Sequence, residues 1–298
     1  MFQTGLKQMN YIKFPNNFGE IEDNISNYDA SKAIILPISY EKTTTYVKGT
    51  GKGPGAILEA SRNMELYDEE LDKNICDVGI CTLNELKIDE KPELMVNIVR
   101  ENVKKLISDN KFPVIVGGEH SITVGCVKAF VSYNDFSILQ LDAHTDLRED
   151  YDRTKFSHAC TMKRCMDICK NIVQVGVRSL DYEEAVFIKE NNLKIFWAKD
   201  IFDNDEWIQS AVSKLSKNVY ITLDLDVFDP SIMPSTGTPE PGGLLYYPVL
   251  RFLKKVFEER NVVGFDIVEL CPNENDVSSD FTAAKVLYKM IGYKFNKK

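Results

Sequence analysis

Residues 138–150 read ILQLDAHTDLRED, and the fold follows from how this stretch is read. An aliphatic run stops abruptly at three potential metal ligands, Asp142, His144 and Asp146, each two residues from the last. The run over 136–142 is apolar on both faces, which predicts a strand covered by helices on each side. The polar patch then falls where that strand ends. Two carboxylates so close repel each other and lose hydration unless something positive lies between them.

The same pattern extends in both directions. Strands are expected over 33–38, 113–117, 136–142, 172–177, 194–197, 219–225 and 262–267, all rich in aliphatic residues. Helical spacing of apolar residues appears between them, over 93–109, 181–191, 205–217, 246–260 and 280–292. Residues 51–62, GKGPGAILEASR, place Pro54 near a helix start, where proline is tolerated. Strand alternating with helix predicts an α/β chain with a mainly parallel sheet. No linker, repeat or composition shift divides it, so residues 1–298 are expected to form a single domain, with 1–30 as an N-terminal extension packing on it. In such sheets ligands bind beyond the carboxyl ends of the strands.

Composition narrows the function. The chain has 298 residues, 44% hydrophobic and 27% charged, with a formal net charge of −9. That disfavours a basic nucleic-acid-binding face and suits steering of a cationic substrate. Seven cysteines without a CxxC pair suggest reduced, buried thiols, and the cluster Cys160, Cys165, Cys169 lacks a second ligand pair for a metal. The opening stretch MFQTGLKQMNYIKFPNN has no signal-peptide core, and no run approaches membrane-spanning length. A cytoplasmic protein without a membrane partner is expected.

Two further strand ends carry ligand types. VIVGGEHSIT (114–123) turns on two glycines into Glu119 and His120, and ITLDLDVFDPS (221–231) presents Asp224, Asp226 and Asp229. Asp229 precedes Pro230 and is read as a turn residue. In extended chain, residues two apart share a face, so Asp142, His144 and Asp146 are expected to converge, as are Asp224 and Asp226. The only histidines are His120, His144 and His158, and two of them sit at strand ends beside carboxylates. The six candidates His120, Asp142, His144, Asp146, Asp224 and Asp226 exceed what one catalytic zinc takes. They suit two cations sharing carboxylates, and oxygen-rich coordination with some imidazole favours Mn²⁺. A metal pair lowers the pKa of a shared water toward neutrality.

GGEHS, DAHTD and DLDVFDPS in this order, followed by MPSTGTPEPGG (233–243), resemble the signatures of the ureohydrolase family, the arginases and agmatinases. The resemblance runs from SYEKTTTYVKGTGKGPGAILEAS (39–61) to DIVELCP (266–272). It implies a three-layer α/β/α fold around a mainly parallel, roughly eight-stranded sheet. It implies one Mn²⁺ on His120, Asp142, Asp146 and Asp224 and another on Asp142, His144, Asp224 and Asp226, two per subunit. It also implies Glu269 as the acceptor of a substrate guanidinium, and His158, in KFSHACTM, as a proton-moving residue at the mouth. A metal-bridging hydroxide would attack the guanidinium carbon, and Asp146 would pass its proton to the leaving amine. A homo-oligomer, trimeric or hexameric, is expected by the same resemblance.

Subfamily features point to agmatine, giving putrescine and urea in polyamine biosynthesis. The loop LREDYDRTKFSHAC (147–160) lacks the arginase pattern and carries Glu149, Asp150 and Asp152, which suit a substrate ending in an amine. Arg148, Arg153 and Lys155 keep arginine, guanidinobutyrate or another guanidino acid as alternatives, and the same chemistry on a formimino compound is a further one. Glu119 stands where many members have Asp, and Ser235 where Gly is common. A non-catalytic metal-binding relative and two-metal phosphoester hydrolysis are the competing classes; no Arg-rich phosphate loop supports the latter.

Overall fold

A computed structural model describes residues 10–202 and 204–296. Among the described residues, ten strands form: β1 (Ala33–Ile38), β2 (Tyr67–Asp68), β3 (Lys73–Asn74), β4 (Ile80–Thr82), β5 (Phe112–Gly117), β6 (Phe136–Leu141), β7 (Ile172–Val177), β8 (Lys194–Trp197), β9 (Asn218–Asp224) and β10 (Asn261–Val268). Strands β2 and β3 make a small antiparallel pair, and the other eight form one sheet in the order β4-β1-β5-β10-β9-β6-β7-β8. Every pairing in that sheet is parallel. All seven expected strands are present to within a residue at either end; β4 of the main sheet and the short pair β2–β3 are the strands the sequence did not announce.

Side-chain alternation explains the layers. On β9, Val219, Ile221 and Leu223 enter one apolar cluster while Tyr220 enters the other. On β1, Ala33 and Ile35 face the first cluster and Ile34, Leu36 and Ile38 the second. Each face is then roofed by helices, which is why the strands read as apolar throughout. Helices Gly53–Ser61, Glu206–Lys214, Tyr246–Glu259 and Ser278–Phe295 send buried residues to the first cluster. Helices Pro92–Ser108 and Thr123–Ala129 do so on the other. The result is the three-layer arrangement.

Helix Tyr246–Glu259 shows how one layer is held. Val249, Leu250, Phe252, Leu253, Val256 and Phe257 form a buried stripe at helical spacing. Full burial of each such side chain contributes about 1.5–3 kcal/mol before entropy is counted. Residues 10–30 lie along the β4 edge: Tyr11 bridges Leu83, and Phe18 donates its N–H to Thr82 Oγ1 at 3.0 Å. Residues 1–9 of the expected N-terminal extension lie outside the described residues. Among the described residues, no helix is long and apolar enough to cross a membrane.

The central four strands, β5, β10, β9 and β6, are neighbours in space although distant in sequence. Their carboxyl ends carry His120, Glu269, Asp224 with Asp226, and Asp142 respectively. Parallel topology therefore gathers the chemistry onto one rim.

Candidate metal centre and substrate cleft

His120 begins a 3-10 turn after β5, and its imidazole is buried. The GG turn before it is obligatory: a side chain on Gly118 would press into the Tyr40 carbonyl. His120 Nδ1 lies 2.9 Å from Asp146 Oδ2, 3.2 Å from Asp142 Oδ2 and 3.3 Å from Asp224 Oδ2. His144 Nδ1 lies 2.9 Å from Asp226 Oδ2 and 3.5 Å from Asp142 Oδ1. Asp142 thus turns one oxygen to each imidazole. Two groups whose ligand atoms lie close enough to hold a metal ion result, His120–Asp142–Asp224 and Asp142–His144–Asp226, joined through Asp142.

All six candidates are brought together, but not by a shared extended face. After β6 the chain bends, and Asp146 adopts φ 53°, a left-handed conformation unusual outside glycine. Asp142 and Asp146 consequently reach His120, while His144 turns to Asp226. Asp226 likewise leaves the strand: it sits in a 3-10 turn whose N–H is held by Asp224 Oδ1 at 3.0 Å. The expected convergence of alternate residues is replaced by a split between two adjoining groups.

The electrostatics of the centre call for cations. Burial pushes Asp224 well above the carboxylate range, and Asp226 and Asp142 add like charge. Burial and Asp142 push Asp146 up to about 7. For His120, burial disfavours charge, yet Asp142, Asp146 and Asp224 outweigh it and raise the imidazole well above its usual range. Its Nδ1 is buried and meets none of these carboxylates with hydrogen-bond geometry. Its Nε2 is 2.9 Å from Thr222 Oγ1, which donates to Asp266 Oδ1 at 2.5 Å. With the ring proton on Nε2, a lone pair faces three carboxylates, an arrangement stable only around a positive ion. These residues fit a pair of divalent cations.

Glu269 closes the other side. It directly follows β10 with φ 67°, and its Oε1 accepts the His120 N–H at 2.6 Å. Burial raises its carboxyl well above the usual range, with Glu119 and Asp226 contributing. Strained backbone at both Asp146 and Glu269 concentrates cost at the same small volume, as functional sites do.

A cavity of about 260 Å³ opens over this centre, lined by His144, Asp146, His158, Thr238, Glu269 and Arg148 among others. His158 therefore belongs to the cleft and not to the metal groups. Its N–H donates to Thr43 Oγ1 at 3.0 Å, and its Nδ1 lies 3.3 Å from Thr43 Oγ1 and from Ser157 Oγ. Burial pulls the imidazole down to about 4, helped by His120 and His144. Arg148 pairs with Asp181 at 3.0 Å and lies 4.9 Å from the Tyr151 ring centroid. Of the three loop acids, Glu149 is engaged by Lys155, Lys163 and Arg164, Asp150 lines a neighbouring groove, and Asp152 lines neither space.

The supporting roles of Glu119, Glu184 and Gln140 were not anticipated. Glu119 accepts the N–H groups of Lys42 and Thr43 at 2.6 and 2.7 Å and the Thr43 hydroxyl at 2.9 Å, fixing the loop that touches His158. Glu184 completes a capping box with Asp181 and also accepts Thr145 Oγ1 at 2.5 Å and Leu147 N at 2.8 Å, anchoring the Asp146 loop to a helix. Gln140 donates to Asp142 Oδ2 at 2.6 Å. Asp229 does serve a turn, accepting N–H groups from Ser231, Gly242 and Gly243.

Comparison with known proteins agrees with this geometry. The family model described as the arginase family matches residues 31–292. The N(1)-aminopropylagmatine ureohydrolase of Synechocystis sp. is 40% identical over 288 residues, covering 94% of each chain. The agmatinase of Pyrococcus horikoshii is 34% identical over 87% of this chain and 90% of its own. The crystal structure of agmatine ureohydrolase of Thermoplasma volcanium superimposes with a TM-score of 0.87 at 31% identity, covering 96% of each chain.

Proposed function

The chain belongs to the arginase family, and from that premise we propose a manganese-dependent amidinohydrolase that converts agmatine to putrescine and urea. The observation that carries this reading is the sharing of Asp142 between two histidine-containing groups beneath a cleft that ends at Glu269. One ion would be held by His120, Asp142, Asp146 and Asp224, the other by Asp142, His144, Asp224 and Asp226. Bound there, the ions supply Lewis acidity that brings the pKa of a water toward neutrality.

The residues of the chain do the rest. Glu269 receives the guanidinium, and its charge-assisted hydrogen bonds orient the planar carbon. Its Oε1 is already fixed by the His120 N–H, so the cation is located relative to the ligand set. Asp146 takes one proton of the attacking water at its carboxylate and passes it to the alkyl-bearing nitrogen, and the water's second proton reaches the same nitrogen as the carbonyl of urea forms. A C–O bond forms, the C–N bond to that nitrogen breaks, and guanidinium plus water becomes urea plus alkylammonium. His158 has Nδ1 committed to Thr43 and Ser157, which leaves Nε2 to exchange protons with solvent.

At the mouth, Arg148 is the cation nearest to hand for a substrate carboxylate, and Asp181 and Tyr151 already engage it. That favours a substrate ending in an amine over arginine or guanidinobutyrate. A second reading, N(1)-aminopropylagmatine, is favoured by the 40% identical Synechocystis relative of that name. Urea release from agmatine, N(1)-aminopropylagmatine, arginine and guanidinobutyrate, each with and without Mn²⁺, tests the proposal. Metal-dependent urea from agmatine at the highest kcat/KM supports the first reading. A higher value for the aminopropyl compound selects the second, and urea from none of them defeats both.

A further inference from the structure

Four polar residues lie in one register row across four adjacent strands. Gln174 of β7 pairs with Gln140 of β6, Gln140 with Thr222 of β9, and Thr222 with Asp266 of β10. All four are buried in the sheet just below the rim that bears the centre. Buried polar side chains in mid-strand cost free energy unless every one is satisfied. Here they are satisfied by each other and by the centre above them.

Direction matters in this row. Asp266 accepts from three hydroxyls: Thr222 at 2.5 Å, Tyr220 at 2.8 Å and Thr123 at 2.9 Å. A hydroxyl has one proton, so Thr222, having given it to Asp266, offers only lone pairs to His120 Nε2 at 2.9 Å. The imidazole then carries its proton on Nε2, and Nδ1 is left bare toward Asp142, Asp146 and Asp224. At the other end, Gln174 donates to Gln140 and to Thr145 O, and Gln140 donates to Asp142 Oδ2.

We propose that Asp266, acting through Thr222, is a positioning residue that sets the tautomer of His120 and so makes its Nδ1 a metal ligand. The inference rests on reading the centre as a metal site. Partners of ligating histidines that fix the opposite nitrogen typically change metal affinity about 10- to 100-fold when removed. Thr222→Val keeps the side-chain shape and removes the hydroxyl; Thr222→Ser keeps the hydroxyl.

Mn²⁺ titrated calorimetrically into the metal-free full chain reads the effect. Thr222→Val is expected to weaken one ion about 10- to 100-fold, and Thr222→Ser to bind like the unaltered protein. Asp266→Asn is expected to weaken the same ion and decides the matter should Thr222→Val not fold. In a His120→Ala background, Thr222→Val is expected to cause no further loss; an equal further loss there would reveal general damage to the sheet and overturn the inference. Equal Mn²⁺ affinity for Thr222→Val and the unaltered protein would also overturn it, leaving the metal reading intact. No Mn²⁺ uptake by the unaltered protein would remove the metal reading itself.

Discussion

Glu269 Oε1 accepts the backbone N–H of His120 at 2.6 Å, so the carboxylate proposed to receive the guanidinium is tied to the main chain of a proposed metal ligand. Two proposed roles are thereby coupled by one short bond between the segments that follow β10 and β5. Glu269→Gln can keep that bond through its amide oxygen but loses the charge. It should fold and retain Mn²⁺, while kcat/KM for agmatine falls about 10²- to 10³-fold, the scale of removing one partner of a desolvated charge pair. Steady-state urea release alongside a metal titration checks this; a parallel loss of metal would mean that Glu269 serves the centre more than the substrate.

Removing the ions should destabilise the chain as well as silence it. Without cations, the buried carboxylates Asp142, Asp146, Asp224 and Asp226 face each other across a small volume. A ligand that binds only the folded state adds about 2.7 kcal/mol when present at a hundred times its dissociation constant. Thermal unfolding in EDTA should therefore occur several degrees below unfolding in excess Mn²⁺, and re-addition should recover both Tm and urea release. An unchanged Tm would argue that the acids are satisfied without metal.

The strands and the six rim residues were legible because their signals are local. A strand covered on both faces reads as unbroken aliphatic sequence, and a polar cluster directly after it stands out. β4 was not legible: Ile80–Thr82 is three residues long at the sheet edge, too short for any period to show. The row Gln174–Gln140–Thr222–Asp266 did have a signal, a polar residue in the middle of each of four largely apolar strands. Its meaning emerges only from register, which sequence does not display. Likewise nothing near Thr43 announces that Glu119, 76 positions away, fixes it against His158.

His158 offers a test of proton transfer separate from metal binding. Burial pulls its imidazole down to about 4, with His120 and His144 adding to the effect, so it is neutral at and above pH 6. The kcat–pH profile between 6 and 9 should then show no limb belonging to His158 near its ordinary value. His158→Asn should leave Mn²⁺ affinity unchanged and lower kcat about 10²-fold, the lower range for a positioned acid–base group. A variant as fast as the unaltered enzyme would reduce His158 to a hydrogen-bonded wall of the cleft.

Acid stability should depend on a cluster far from the centre. Glu70 accepts from Lys254 Nζ at 2.8 Å, Tyr293 OH at 2.8 Å and Lys289 Nζ at 3.0 Å, joining the β2–β3 loop to two helices. Burial alone would raise its carboxyl, but these bonds outweigh that and hold it at about 2, against 4.5 ordinarily. The folded state therefore binds fewer protons than the unfolded state between those values, and stability rises with pH across that window. The contribution is fully present above pH 4.5 and is lost as pH falls toward 2. Glu70→Gln should lower stability at pH 7 and flatten the urea midpoint between pH 4.5 and 2.5, because the amide cannot titrate. The two proteins should converge at the acid end. If the gap measured at pH 7 persisted unchanged at pH 2.5, the ionised form of Glu70 would not be what these partners stabilise.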